Sequence, residues 1–351
     1  MKVSIIAFNN LAKSPYINIY ADFCRANSVD FEVVYPDRDN LRETADYSLL
    51  PVDWDPKKHK MLNFLYFRKE VIRHLRKAKP DFVIVLTTMP AVLLSGFLSR
   101  NYKGRYLVDV RDYTYENVGF YYRMEQKAIQ NAAMRVISSP GFKNFLPDAE
   151  YNLCQNINPE YESGGGGCPP RDSDKPITIG YVGTIAYKKQ CMRLIKLVEK
   201  DTRFKFHFYG GESGEQQISN YLAENPCDRI KAYGPYRPAE KVGIMNGVDI
   251  LFNAYGNGSK LLDYALSNKL YDSFFMRIPL LTSPKTAMSE EAGPYSYDID
   301  LENETSLNGL FDWYQAIDCE AFAVYSKQYL TRVFDEQRSF YDQLGQVLIG
   351  R

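Results

Sequence analysis

Residues that would announce a metal centre or a disulfide scaffold are scarce in this chain. Its three histidines (His59, His74, His207) share no short spacing, which argues against a histidine-based metal site. Its six cysteines (Cys24, Cys154, Cys168, Cys191, Cys227, Cys319) lie far apart with no CxxC pair. Neither a disulfide framework nor a structural zinc is therefore expected, and a reducing compartment is the simpler setting. Net charge is missing too: 43 basic side chains balance 43 acidic ones, which gives no reason to expect nucleic acid. No run approaches the ~18 consecutive apolar residues of a membrane span. The opening MKVSIIAFNNLAKS is weakly apolar and has no small-residue cleavage pattern, so it reads as a strand and not a signal peptide. A cytoplasmic protein is expected.

What is present is the balance of a folded protein, 45% hydrophobic and 25% charged over 351 residues. At roughly 100–200 residues per domain, that length suggests two domains with separate cores. The charge is unevenly spread. Residues 1–150 carry 22 basic against 17 acidic side chains, and the remainder carries the opposite imbalance. Much of the basic excess lies in RKEVIRHLRKAK, from Arg68 to Lys79. Two readings stay open: a solvated helix face, or a surface that leans on anionic lipid as a peripheral membrane contact.

Short β-rich runs alternate with longer helical patterns throughout. The first half offers strands at 3–8, 31–35, 81–88, 105–110 and 134–139, with crossover helices at 16–26, 61–79 and 121–133. The strands are nearly continuous in apolar residues, as expected of parallel strands covered on both faces. Residues 156–176 (NINPEYESGGGGCPPRDSDKP) then break the pattern and read as a linker. That glycine run is no phosphate loop, because no strand enters it and no helix leaves it. The alternation restarts with strands at 177–183, 204–211, 229–234, 249–255 and 278–283, and residues 319–348 read as one or two closing helices. The expectation is an α/β protein of two doubly wound parallel sheets: 1–155, a linker at 156–176, and 177–325, followed by a C-terminal helix at 326–351. Two such domains leave a cleft, and parallel sheets bind ligands outside the carboxyl ends of their strands.

Two segments carry chemistry. In IGYVGTIAYKKQCMRLIKLVEK a buried strand ends at Gly183 and a helix begins near Lys188. Free N–H groups and the positive dipole end favour an anion there, and Lys188 and Lys189 add full charge. Lysines decorating an exposed first turn would look similar, but cations at a helix N-terminus oppose the dipole, which weakens that reading. In SNKLYDSFFMRIPLLTS, Ser267 or Asn268 can cap a helix on which Lys269 and Asp272, three apart, share a face. This pair could offer donors to a phosphate and an acceptor to a sugar hydroxyl. Past the strand at 105–110, Arg111 and Asp112 read either as solvated turn residues or as contacts to a ligand.

The pairing of YVGTIAYKK with SNKLYDSFFMRIPLLTS resembles the nucleotide-binding half of GT-B glycosyltransferases, most closely the retaining family-4 group. In that family a lysine lies six residues after the glycine, as Lys189 does after Gly183. A later helix carries a lysine, an acid three residues on and a proline seven beyond it, matched by Lys269, Asp272 and Pro279. The resemblance implies the GT-B architecture, with C-terminal helices crossing back to an N-terminal acceptor domain. It implies that Lys189 contacts the donor diphosphate as a catalytic residue beside Gly183 and Thr184, with Lys188 and Lys269 adding positive field. It further implies that Ser267 and Asn268 flank that site, that Asp272 receives the ribose, and that Gly234, Pro235 and Tyr236 lie at the base. Arg111 and Asp112 would act on the donor sugar or the acceptor.

The implied reaction moves a sugar from a UDP or GDP donor to a glycan or lipid-linked acceptor, with retention, in surface or capsular polysaccharide synthesis. No DxD-type acidic pair is evident where a metal would be needed, so the lysines would take its place. The chain departs from the family at Thr184, where arginine is frequent, and at Tyr264, where a glutamate is usual, with Asp263 one position off register. No first-domain histidine matches the family's. A nucleotide-sugar epimerase of the same fold, or a non-catalytic nucleotide-binding subunit, stays open beside the transferase.

Overall fold

The computed structural model describes residues 1–163, 165–166 and 175–350. Gly164 and residues 167–174, part of the expected linker with its Cys168, lie outside the described residues. The chain divides into two units: Met1–Asn156 joined by the chain from Asp335 onward, and Ile157–Phe334.

Unit 1 is built on seven strands: β1 (Lys2–Ile6), β2 (Asp30–Asp37), β3 (Ser48–Asp53), β4 (Phe82–Leu86), β5 (Tyr106–Val110), β6 (Met134–Ile137) and β7 (Asn152–Leu153). Their order is β3-β2-β1-β4-β5-β6-β7, with every pairing parallel. The central strands FVIVL and YLVDV are buried at every position, as a sheet covered on both faces requires. The crossovers carry α1 (Ile17–Ala26), α2 (Lys60–Ala78), α3 (Thr88–Asn101) and α4 (Gly119–Gln130). Two local readings change. The strand expected over 81–88 stops at Leu86, since Thr88 already opens α3. SLLPVD forms β3 despite Pro51, because an edge strand tolerates the missing N–H.

Unit 2 carries β8 (Ile177–Val182), β9 (Phe204–Tyr209), β10 (Ile230–Ala232), β11 (Ile250–Asn253), β12 (Leu280–Thr282) and β13 (Ser296–Asp298). Their order is β10-β9-β8-β11-β12-β13, again all parallel. Its helices are α5 (Lys188–Lys200), α6 (Gln217–Glu224), α7 (Lys241–Met245), α8 (Lys260–Tyr264), α9 (Asn268–Met276), α10 (Ala287–Ala292), α11 (Ser306–Ala316) and the start of α12 (Cys319–Ile349). Unit 2 takes in part of the segment expected as linker. Residues Pro159–Ser163 make a 3-10 turn whose Tyr161 is buried and stacks on Phe275 at 4.1 Å.

Each unit has its own core. The last residues of α12 belong to that of unit 1, where Phe340 meets Tyr20 edge-on and Leu344 and Leu348 are buried. In both sheets the strand order reverses beside the first strand, at β1/β4 and at β8/β11. Ligands of doubly wound sheets bind at the carboxyl edge near that reversal. Among the described residues no helix is long and apolar enough to cross a membrane.

Candidate functional site

The site in unit 2 begins with a close crossing of two turns. Gly183, just past β8, has φ +120°, and a Cβ on Gly210, just past β9, would stand 2.0 Å from the Gly183 carbonyl oxygen. Only glycine at both positions lets the two strand ends approach this closely. A cavity of about 330 Å³ opens there, lined by Gly183, Thr184, Gly211, Pro235, Tyr236 and Lys241. It lies past the carboxyl ends of β8, β9 and β10, where a parallel sheet binds ligands. Gly234 holds the third strand end in place: its carbonyl accepts from Gly210 N–H at 2.8 Å, and its φ is +79°.

From Gly183 the chain passes through exposed Thr184 and buried Ile185, whose N–H donates to the Gly211 carbonyl. At Lys188 it enters α5. No side chain caps α5, so its first N–H groups are available to an anion. The two lysines expected together have different fates. Lys188 donates to the Glu215 carbonyl and lies 4.0 Å from the Glu212 carboxylate. Lys189 is exposed, with no hydrogen bond or ion pair among the described residues.

α9 supplies the other half. Ser267 is the cap, accepting from Lys269 N–H at 3.3 Å, and Asn268 is the exposed first residue of the helix. Lys269 is 8% exposed, and its Nζ donates to Tyr255 Oη at 2.6 Å. That ammonium sits 4.7 Å from the centre of the Tyr181 ring and 3.6 Å from where a Gly183 Cβ would be. Burial lowers Lys269 to about 8, with Asp272 opposing the shift and Lys241 adding to it. Tyr187, at the head of α5, stacks on Tyr255 at 4.0 Å, so one tyrosine joins the starts of both helices.

Asp272 lies one turn into α9. Its carboxylate is buried and doubly held: Tyr161 Oη donates to Oδ1 at 2.5 Å, and Lys241 Nζ reaches each oxygen at 2.7 Å. Sequence reasoning missed both partners. Lys241 opens the short α7, and Tyr161 comes from the stretch read as linker. The lone aromatic in that glycine-rich stretch was the available signal. Asp263, noted as off register, accepts from Gly258 N–H at 2.7 Å and closes its own loop.

The two candidates in unit 1 also part. Arg111 is buried, donating from Nη2 to Asp109 Oδ2 at 2.7 Å and from Nη1 to the Cys154 carbonyl at 2.9 Å. Tyr20 Oη donates to the same Asp109 oxygen at 2.8 Å. The guanidinium therefore compensates a carboxylate in the middle of β5, the role a buried acid demands. Asp112, the next residue, is exposed.

No family model and no curated protein sequence matches the chain. Solved structures do match it over nearly its whole length. Sucrose-phosphate synthase from Thermosynechococcus elongatus is similar at 12% identity, over 99% of this chain and 98% of that one, with a TM-score of 0.74. Anabaena HepE in complex with UDP is similar at 12% identity, over 99% and 100%, with a TM-score of 0.71. The apo lipopolysaccharide outer core galactosyltransferase WaaB is similar at 15% identity, over 100% and 99%, with a TM-score of 0.65. At these identities the likeness shows the fold: two Rossmann-like parallel-sheet halves in the GT-B architecture.

Proposed function

We propose that the chain is a retaining glycosyltransferase. It would transfer a sugar from a UDP or GDP donor to a hydroxyl of a glycan or lipid-linked acceptor, in synthesis of a surface or capsular polysaccharide. The observation that carries the reading is the meeting, at the carboxyl edge of the unit 2 sheet, of the uncapped start of α5 with the buried ammonium of Lys269, joined through the Tyr187–Tyr255 stack. Breaking a sugar–phosphate bond leaves an oxocarbenium-like sugar and a diphosphate with added negative charge. Preorganised cations and helix N–H groups stabilise that leaving group, each donor worth ~3–4 kcal/mol in a water-excluded site. In this reading the acceptor's proton passes to the leaving phosphate. The GT-B likeness, and the UDP bound in one similar structure, favour a nucleotide sugar.

The assignments follow the resemblance. Lys189 and Lys269 bind the diphosphate, with Thr184 and Gly183 at the turn. Asp272 receives the ribose, in exchange for the Lys241 ammonium that now occupies it. Pro235 and Tyr236 line the base.

A thermal-shift panel of UDP-, GDP- and dTDP-sugars tests the donor, and turnover of the active donor tests the reaction. A glycoside product supports the transferase, an epimerised sugar the epimerase, and no turnover a binding subunit. Lys189→Ala should weaken binding of the nucleoside diphosphate at least tenfold and of the bare nucleoside little. Equal losses would contradict the diphosphate assignment.

A membrane contact through α2 fits a lipid-linked acceptor. Along its solvent face, exposed Met61, Leu62, Leu65 and Tyr66 give way to exposed Arg68, Lys69, Arg73, Arg76 and Lys77. The cations line a groove of about 750 Å³ with Arg100 of α3. Apolar residues beside cations suit an anionic bilayer, where each cation near the surface adds about 1 kcal/mol. Replacing Arg73, Arg76 and Lys77 by alanine should therefore weaken binding to phosphatidylglycerol vesicles about a hundredfold at low salt. Unchanged binding rejects the contact.

A further inference from the structure

At the carboxyl edge of the unit 1 sheet, Arg38 makes no ion pair among the described residues. Arg38, just past β2, lies in the corner of two perpendicular aromatic rings, 4.5 Å from the centre of Phe8 past β1 and 4.5 Å from that of Trp54 past β3. Phe64 and Phe67 of α2 pack against Phe8 at 5.4 Å and extend the box. Within it Arg38 Nε and Nη2 are buried with no hydrogen-bond partner among the described residues. Those two N–H groups form one edge of the guanidinium, the fork that takes both oxygens of a carboxylate or two of a phosphate.

Nearby acids are committed elsewhere. Asp37 accepts from Asn10 Nδ2 and from the N–H groups of Leu41 and Arg42. Glu43 accepts from Asn10 Nδ2 and from Leu11 and Ala12 N–H. Asp39 pairs with Lys13 at 2.6 Å. Burial works against the charge on Arg38, and Asp39 offsets this only through space. A buried charged donor pair left unmade is costly, so the box is incomplete without an anion.

We propose that Arg38 is the anion-recognition residue of the acceptor site, gripping a carboxylate or phosphate group carried by the acceptor. The rings of Phe8 and Trp54, perpendicular to each other with centroids 6.4 Å apart, pack against the guanidinium from two sides, so its fork is preorganised and little side-chain freedom is lost on binding. Acceptors bearing a uronic acid or a sugar phosphate then outcompete neutral ones, which leave the fork unpaired. The proposal rests on unit 1 being the acceptor side of the transferase.

Trp54 reports on this contact directly. The chain has two tryptophans, and Trp313→Phe leaves Trp54 as the single reporter. The unaltered protein gives the same titration over a constant Trp313 background. Glucuronate, glucose 6-phosphate and glucose are titrated at fixed ionic strength. One or both anions should change Trp54 emission saturably, at least about tenfold more tightly than glucose. Arg38→Met should remove the response, and Arg38→Lys, which keeps charge but loses the fork, should weaken it. A response to glucuronate alone identifies a carboxylate acceptor, and one to the phosphate alone a phosphorylated acceptor. No saturable response in the unaltered protein, glucose equal to the anions, or an unchanged Arg38→Met titration would overturn the proposal. A UDP and GDP thermal shift on the same samples reports the donor site separately, so failure of the donor reading is distinguishable from failure at Arg38.

Discussion

Replacing Lys269 by methionine should make unit 2 more stable while abolishing the nucleoside diphosphate binding proposed for it. Burial lowers this ammonium from the ordinary 10.5 to about 8. Below pH 8 the folded protein carries a charge it disfavours, at a cost of about 3 kcal/mol for that shift. The cost is present in full at neutral pH and is relieved as pH rises from about 8 to 10.5, because there the unfolded chain holds the proton that the folded one has shed. Methionine keeps the length and loses the charge. It also forfeits the bond to Tyr255, worth about 1 kcal/mol, so a net gain of about 2 kcal/mol is expected in urea unfolding at pH 7.

On the proposed reading, transfer should fall at least a hundredfold in the same variant, since the charge that would face the departing diphosphate is gone. In the unaltered protein, diphosphate affinity should decline as pH rises through 8, and the variant should lack that decline. A stabilising substitution that abolishes function is the signature of a group kept for its ligand. Loss of stability with affinity intact would make Lys269 a core residue after all.

The parts of this site that could be read from the sequence are those in which chemistry and local structure coincide. Gly183 to Lys189 is a strand, a turn and a helix start in one stretch, and Ser267 to Asp272 is a cap followed by one helix face. Residues brought in from a distance were not legible. Tyr161 meets Asp272 across 111 positions and Lys241 meets it across 31, so a local pattern could at most single out Tyr161 as a lone aromatic and could not announce either pairing. Arg38 is hidden for the same reason, its box being assembled from the ends of three strands. Arg111 is the opposite case. Asp109 stands two residues before it, on the same face of an extended chain, and VDVRD already contained the ion pair that engages the guanidinium. The fold itself was legible because buried parallel strands are apolar throughout. The exceptions were edge strands such as β3, where a proline masks the pattern.

Glu125→Gln should stabilise unit 1 by about 3 kcal/mol at pH 7 without touching the donor site. Glu125 lies on α4, fully buried, and neither carboxyl oxygen has a partner among the described residues. Burial, reinforced by the Glu116 carboxylate, pushes it from the ordinary 4.5 up to about 8. Between those values the unfolded chain has lost the proton and the folded one keeps it, so stability falls as pH rises from about 4.5 and levels off above 8. At 1.36 kcal/mol per unit, the 2.5 units up to pH 7 give the stated figure. Glutamine has the shape of the protonated acid and does not titrate, so the two proteins should be equally stable near pH 4 and diverge steadily above it. Urea unfolding across that range, followed through the unit 1 transition, measures the divergence. Parallel curves would mean that Glu125 finds a partner or water in solution and ionises normally. Divergence on the expected slope would identify a neutral carboxyl held inside unit 1 at physiological pH, at a stability cost the fold bears throughout that range.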